Sequence, residues 1–512
     1  MNVLKKLTVL SLVGGLMFSC DKNDEIIQED TTASYKKSSN FNVNFQYAST
    51  IQVGGEGASE ISAFDSKSNK LFVVNVESNE VSVFDISDIY NPVQMPSISV
   101  GNGSPNSVAV SKGKLAVAVE NANKQDLGSI MVFNTSDHTM VGNYTVGALP
   151  DMVTFSPNGE LIVSANEGEP SDDYLNDPVG SISIITLETG QVSTLSFEAF
   201  NAQEAALEAQ GFRVFGPNAT LAQDVEPEYV AISQNNETAW VTLQENNGIA
   251  KVNLVSKTIE AIYPLGLKDY SLAENAIDPS DDDNMKALNP WPVYGMYQPD
   301  AIDYVKINGM DLIISANEGD SRDYDGYSEE ERGDDLTLDP TVFPNADFLQ
   351  QDENLGRIKV TTANGDYDGD GDYDAIYNYG ARSFSIWSSD GQLLYDSGND
   401  ISEITLDLTP DRFNDDDSRS DDKGAEPESI EILNVQGNKY ILFVGLERND
   451  QVLVFDISNP FAPEFLQILD HDGDEAPEGV LAIPAKDSPT GNDLLVVSNE
   501  VSGTVSFYEN IQ

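Results

Sequence analysis

Residues 150–167 read Pro-Asp-Met-Val-Thr-Phe-Ser-Pro-Asn-Gly-Glu-Leu-Ile-Val-Ser-Ala-Asn-Glu. A proline followed by an acid opens a short β-type run, a tight turn follows, and a second run ends in Asn-Glu. The same order recurs along the chain. The opening mark appears as Ser59-Glu60, Pro105-Asn106, Pro150-Asp151, Pro227-Glu228, Pro299-Asp300, Pro427-Glu428 and Pro477-Glu478. The closing acid appears as Glu77, Glu120, Glu167, Glu245, Glu318, Glu447 and Glu500. Where the chain runs uninterrupted, successive marks lie 45 to 50 residues apart (60 to 106, 106 to 151, 428 to 478), and the longer intervals hold insertions. Alternation with period two is clear in Val81–Ile86 and Val452–Ile457, and helical periodicity is confined to the neighbourhood of Ala202–Gln210. Four-stranded units of this length, repeated in phase, predict an all-β fold, a β-propeller whose ring closure removes exposed sheet edges. Seven marks predict seven blades. The unmarked runs Arg382–Trp387 and Gln392–Tyr395 leave room for an eighth.

The start of the chain has a different character. Lys5 and Lys6 precede an apolar run from Leu7 to Phe18 that is too short to span a bilayer and ends at Ser19-Cys20. Leu16-Met-Phe-Ser-Cys20 resembles a bacterial lipoprotein signal, which implies cleavage after residue 19 and a lipid on Cys20. Cys20 is also the only cysteine, so no intramolecular disulfide forms. The expected organisation is a signal over 1–19, an acylated tether over 20–40, and one propeller over 41–512. Insertions are expected around 168–180, 195–224, 268–296, 319–355 and 400–423. The acidic tract Asp21–Glu25 resembles surface-export signals of some lipoproteins, so the expected location is extracytoplasmic, on the outer membrane or cell surface.

Charge narrows the function. The chain carries 86 acidic against 27 basic residues, and loss of Lys5 and Lys6 with the signal takes −59 to −61. Such a body repels nucleic acid, and it repels itself unless cations neutralise some carboxylates. Its 40% hydrophobic content separates it from a disordered acidic chain. There is no Gly-x-Ser-x-Gly elbow, P-loop or dinucleotide fingerprint, so no nucleotide is expected. His138 and His471 are isolated, which argues against zinc.

Ser164-Ala-Asn-Glu-Gly-Glu-Pro170, Ser315-Ala-Asn-Glu-Gly-Asp-Ser-Arg-Asp-Tyr324, Gly380-Ala-Arg-Ser-Phe-Ser-Ile-Trp387 and Gly424-Ala-Glu-Pro-Glu-Ser429 resemble the choice-of-anchor I proteins. That family comprises bacterial surface propellers and is similar to the mesenchyme-specific surface glycoproteins of biomineralising animals. The resemblance covers nearly all of residues 45–510 and implies a surface role associated with calcium. Some relatives bear the name alkaline phosphatase, yet the family offers no catalytic motif to carry over.

In a propeller the first strand lines the channel and the second runs back beside it. The Pro-acid set and the closing Glu set therefore meet at one mouth. Asp151, Glu228, Asp300, Glu428 and Glu478, with Glu60, form an inner ring there, and Glu167 and Glu318 lie just outside it. Two readings fit these acids: convergent oxygens for a hard cation such as Ca²⁺, or acceptors for the neighbouring blade's backbone N–H groups. A second signal is local. Asp366-Tyr-Asp368-Gly-Asp370-Gly-Asp372-Tyr-Asp374 follows the first half of a calcium loop, with acids at positions 1, 3, 5 and 9 and glycine at 6, but Tyr377 stands at position 12. The runs Asp281–Asp283, Asp415–Asp417 and Asp421-Asp422 read as solvated loops. Arg322 and Arg382 read as neutralising adjacent acids.

Three functions follow. The first is a calcium-binding surface module for a protein, glycan or mineral partner. The second is a calcium-dependent hydrolase of phosphoesters or lactones, for which Asn166-Glu167 and Asn317-Glu318 supply ligands while no general base is evident. The third is a scaffold for a lipoprotein complex.

Overall fold

The computed structural model describes residues 43–511; the expected signal over 1–19, Cys20 and the expected tether lie outside the described residues. Among these residues are ten sheets, seven of them four-stranded. The first sheet comprises Ser62–Asp65, Lys70–Asn75, Glu80–Asp85 and Val93–Ser99. The second begins at Pro105–Ser111, the third at Pro150–Phe155 and the fourth at Pro227–Ile232. The fifth begins at Ile302–Ile307, the sixth at Pro427–Gln436 and the seventh at Pro477–Ile483. Within the first six sheets the strands lie in chain order, each antiparallel to the last. The first strands of successive sheets touch in order around the molecule, and the seventh touches the first. The fold is a β-propeller.

The fourth strand of the seventh sheet comes from the other end of the chain. Phe45–Gln52 pairs antiparallel with Thr504–Asn510, and Asn44 and Ile511 exchange hydrogen bonds of 2.9 and 3.2 Å. The runs that left room for an eighth unit, Ser383–Ser388 and Leu393–Asp396, are instead the third and fourth strands of the fifth sheet.

Burial follows position within the sheet. Second strands are sandwiched by neighbours on both faces, so they read as continuous apolar runs: Leu71, Phe72, Val73 and Val74 are all fully buried. Each face serves a different junction. Phe72 and Val74 pack with Val108, Leu115 and Val117 of the second sheet, whereas Leu71 and Val73 pack with Leu494, Val496 and Phe507 of the seventh. Outer strands such as Gln191–Ser196 contain no buried residue.

Strand direction assigns every connection to a side. Joins between strands two and three, and between sheets, lie at the mouth where the Pro-acid turns begin. Joins between strands one and two, and three and four, lie at the far side. All the long excursions leave from the mouth: residues 197–226, 265–301 and 397–426 between sheets, and 167–180 and 318–382 within them. They build a satellite core from Tyr270, Ile277, Val293, Leu336, Phe343, Leu355 and Ile358. Buried ion pairs tie them together: Arg322 meets Asp224 at 2.5 Å and Glu226 at 2.9 Å, and Arg213 meets Glu329. The excursion before the sixth sheet carries the helix Asp400–Leu408, which sequence periodicity did not flag.

Candidate functional site: the acidic channel mouth

In five units the proline of the repeated mark begins the first strand, where a missing N–H is tolerated, whereas Pro299 lies ahead of the strand Ile302–Ile307. In five sheets the pairing with strand two then slips, forming a β-bulge immediately after Pro105, Pro150, Pro227, Pro427 and Pro477. The bulged positions include Asn106, Asp151, Glu228, Glu428 and Glu478. A bulge leaves its residue out of the ladder and re-aims the side chain, and these five side chains line the channel mouth. The residue before the proline is left-handed in four units: Leu149, Gln298, Glu426 and Ala476 have φ of 47°, 38°, 51° and 58°. Backbone strain of this kind gathers at functional sites.

The Ser-Ala-Asn-Glu-Gly motif divides its labour. Asn166 is fully buried, and its amide donates to Ser181 O and to the hydroxyls of Ser181 and Ser183 at 3.0–3.2 Å. Asn317 does the same to Ser383 and Ser385 at 3.1 and 2.8 Å. These asparagines lock strand two to strand three and are spent on the sheet. The following acids, Glu167 and Glu318, are the ones that face the cavity. Gly319 then lets two backbones meet: a Cβ there would lie 2.1 Å from Gly380 N, and one on Gly380 would lie 2.0 Å from Glu318 O. Both glycines have positive φ, so this close approach fixes the carbonyl end of Glu318.

The cavity has a volume of about 560 Å³. Asp151, Glu228, Asp300, Glu428, Glu478, Glu167 and Glu318 all line it, together with Glu60, Glu120, Glu169 and Asp320. Three of them converge: a carboxylate oxygen from each of Asp300, Glu318 and Glu428 lies within 4.8 Å of the other two. Glu318 belongs to a second such trio with Glu426 and Glu447. Of the closing acids, Glu77 lies apart and accepts from Gly55 N at 2.8 Å. Glu245 lies under the excursions, where burial lifts it to about 7 against the opposing pull of Arg322.

Crowding these acids away from water shifts their titration. Asp300 is held well above the carboxyl range by burial, then by the charges of Glu318 and Glu478. Burial and then Glu478 and Glu447 do the same to Glu428. Glu60 is pushed up to about 9 by burial, with Glu478 and Glu500 adding to it. Asp151 and Glu478 both rise to about 7, burial again leading. Glu228, only 8% exposed, has a buried Oε2 without a hydrogen-bond partner among the described residues. Such a group is costly unless it is protonated or meets a cation.

One side of the mouth carries its own cations. Lys423 reaches Glu318 at 2.5 Å, Glu426 at 3.5 Å and Asp320 at 3.8 Å. Burial alone would raise Glu426, but Lys423, Arg448 and Arg419 overcome it and bring the group down to about 2. Sequence reasoning missed Lys423, Glu426 and Asp320. The one readable hint is the doublet Glu-Pro-Glu at 226–228 and 426–428. In each, the first glutamate takes arginine (Arg322 for Glu226, Arg419 and Arg448 for Glu426) and the second faces the channel.

The second candidate stands apart from the mouth. In the loop Asp366–Asp374, oxygens of Asp366, Asp368 and Asp374 lie within 4.8 Å of one another; Asp370 and Asp372 fall outside that trio. Asp366 accepts from Gly369 N at 2.7 Å and Gly371 N at 3.1 Å, and Gly369 and Gly371 take positive φ. Repulsion from Asp370 leads the upward shift of Asp368. Two other expectations need correction. Asp421 and Asp422 are buried, each 4% exposed, because Arg332, Lys359 and Arg419 enclose them at 2.5–3.3 Å. Among the described residues Arg382 pairs with no carboxylate: it donates to the carbonyls of Asp278, Ser420 and Asp422 at 2.7–3.0 Å.

A propeller with a buried acidic mouth roofed by long excursions defines the class. This chain belongs to the choice-of-anchor I domain family, whose description matches residues 60–460. The chain is similar to Gigasin-3a of Magallana gigas, at 32% identity over 189 residues, 31% of this chain and 66% of that protein. It is also similar to the mesenchyme-specific cell surface glycoprotein of Strongylocentrotus purpuratus, at 26% identity over 376 residues, 62% of this chain and 46% of that protein. The chain thus spans less than two thirds of the length of either relative. Among solved structures, Kuenenia stuttgartiensis hydrazine synthase aligns at TM-score 0.48 and 11% identity, covering 90% of this chain and 97% of that one. The β-propeller domain of Cps50 (Swd1) from Myceliophteria thermophila aligns at 0.47 and 8%, covering 92% and 100%. Scores this low add nothing to what the sheets themselves establish. Membership of the family indicates a surface-exposed protein. No helix among the described residues is long and apolar enough to cross a membrane.

Proposed function

We propose that this protein is a seven-bladed, lipid-anchored surface module whose acidic mouth binds Ca²⁺ and, through it, an oxygen-rich partner. The convergence of Asp300, Glu318 and Glu428 within 4.8 Å carries the reading. Ca²⁺ takes six to eight oxygens, and three carboxylates from neighbouring sheets leave positions for water or for a partner's carboxylate or hydroxyl. A cation there offsets the burial and, after it, the repulsion that raise the titration of these acids. The loop Asp366–Asp374 provides a second, more exposed site of the weaker extracellular kind. Cys20 supplies the anchor, and a relative named as a cell surface glycoprotein suits that placement.

Calorimetric titration of calcium into residues 41–512 tests this. Two sets of heats are expected, one lost in Asp300→Asn/Glu428→Gln and the other in Asp368→Asn/Asp370→Asn. Dilution heats alone from the unaltered protein would end the proposal. For the anchor, Cys20→Ser should leave the detergent phase, and unchanged partitioning would remove the lipid from the picture.

A second reading draws on Glu478. With a pKa near 7 beside the trio, it suits the general base that a calcium-dependent phosphoesterase or lactonase requires. Calcium-dependent turnover on a panel of such substrates, lost in Glu478→Gln, would favour the hydrolase. Background rates in the unaltered protein would leave the binding module.

A further inference from the structure

Strand direction puts the turns of the far side at the opposite end of the channel, away from every excursion. At three junctions there, a lysine reaches across and donates to a neighbouring sheet. Lys70 donates to Thr135 O and Ser136 O, both at 2.9 Å. Lys112 donates to Asn158 O, and Lys257 to the hydroxyls of Thr186 and Ser193 at 3.0 and 3.3 Å. The junction of the fourth and fifth sheets also has its bridge, Lys251 to Asp390 at 2.8 Å, but here a cavity of about 400 Å³ opens beside it.

Its walls combine two kinds of group. Trp240 and Tyr304 stack with centroids 5.5 Å apart and planes 8° from parallel, and both line the cavity. Around them stand Lys251, Lys306, Asp311 and Asn235. Every one of these is held. Trp240 Nε1 donates to Ser389 O at 3.0 Å, tying the indole to the neighbouring sheet's turn. Tyr304 donates its hydroxyl to Asp311, which also grips Lys306 Nζ at 3.0 and 3.2 Å. Asn235 donates to Glu237 at 3.0 Å.

We propose that this groove is a carbohydrate-binding site that takes a neutral pyranose ring. A sugar presents an apolar C–H face and a rim of hydroxyls that both donate and accept. The part-exposed ring of Tyr304, backed by the buried Trp240, matches the first, and a rim of alternating ammonium, carboxylate and amide groups matches the second. Because the partners already hold one another in place, little side-chain freedom is lost on binding. The balanced pairs Lys251–Asp390 and Lys306–Asp311 favour a neutral sugar over a uronate or sulfate, which the body's net charge also repels. The site is independent of calcium at the mouth.

Saturation-transfer NMR with methyl glycosides of common hexoses, on residues 41–512 in the presence of a chelator, reads the site directly. At least one glycoside should show transfer and perturb tryptophan fluorescence. Tyr304→Ala should weaken it by about tenfold or more, and Asp311→Asn, a milder change at a half-exposed residue, by a smaller factor, with circular dichroism unchanged. No transfer from any neutral glycoside, or equal binding by Asp311→Asn and Tyr304→Ala, would overturn the assignment. Transfer from uronates or sulfated sugars alone would likewise overturn it.

Discussion

The two ends of the channel solve the same problem with opposite chemistry. At the mouth, carboxylates are drawn together, buried and lifted in pKa, and guanidinium groups from the excursions grip them in pairs. At the far side, turns are short and ammonium groups donate to backbone carbonyls and hydroxyls of a neighbouring sheet. The difference teaches that a formal charge of −59 is not spread evenly. Acids held protonated at the mouth carry less charge than their count implies, and a cation arriving there changes both charge and stability.

Measurements at both ends of the channel press on this contrast. Arg322→Met should destabilise most, by about 3–5 kcal/mol in denaturant melts, because Asp224 and Glu226 would remain buried without their cation. A loss below 1 kcal/mol would mean that the excursions do not depend on their ion pairs.

Chelation comes next. Calcium at about 100 times Kd should add ~2.7 kcal/mol, which a chelator removes. The pH dependence of the chelated protein has a definite sign. Glu60, Asp151, Glu447 and Glu478 rise to between about 7 and 9 in the fold, so the folded state holds more protons than the unfolded chain above the ordinary carboxyl range. Their contribution is full below the ordinary carboxyl range and is lost progressively from there until pH has risen through about 7 to 9. Chelated protein should therefore melt higher at pH 6 than at pH 9, and calcium should flatten the slope. Asp300→Asn/Glu428→Gln should raise the melting temperature without calcium and remove the gain at the mouth. A chelated protein more stable at pH 9 would contradict the crowding described here.

At the far side the effects shrink. Lys70→Met should cost about 1–3 kcal/mol, because two carbonyls lose their donor at a residue only 8% exposed. Lys257→Ala, whose acceptors are two hydroxyls, should stay within about 0.5 kcal/mol. If Lys70→Met proved as costly as Arg322→Met, the contrast between the two ends would dissolve.

Much of the ring was legible because its marks are local. Pro-acid and Asn-Glu recur in phase, each has a backbone reason, and the strands between them carry their apolar pattern openly. The excursions were not legible. Ser383–Ser388 pairs with Met310–Asn317 across more than sixty intervening residues, and nothing in its own sequence names that partner. Lys423 reaches Glu318 over 105 positions, and Arg322 reaches Asp224 over 98. Such contacts depend on how long loops fold back, which no periodicity records. The acids at the mouth were therefore readable as a set, whereas the cations that already occupy one side of it were not. Asp421-Asp422 was misread for the same reason, since its four basic neighbours come from other segments or other turns.

The clasp between Phe45–Gln52 and Thr504–Asn510 carries a consequence for biogenesis. The strand made first is the strand paired last. While some 450 residues are still to emerge, its edge stands open, and open edges invite pairing with other chains. Contacts this distant in sequence also close slowly. A nascent chain thus passes through a stage in which six sheets can be complete while the seventh has only its outer strand. Any factor that escorts this protein to its destination has most reason to guard that one segment, and a truncation that spares every other strand but removes residues 45–52 would leave the ring permanently ajar.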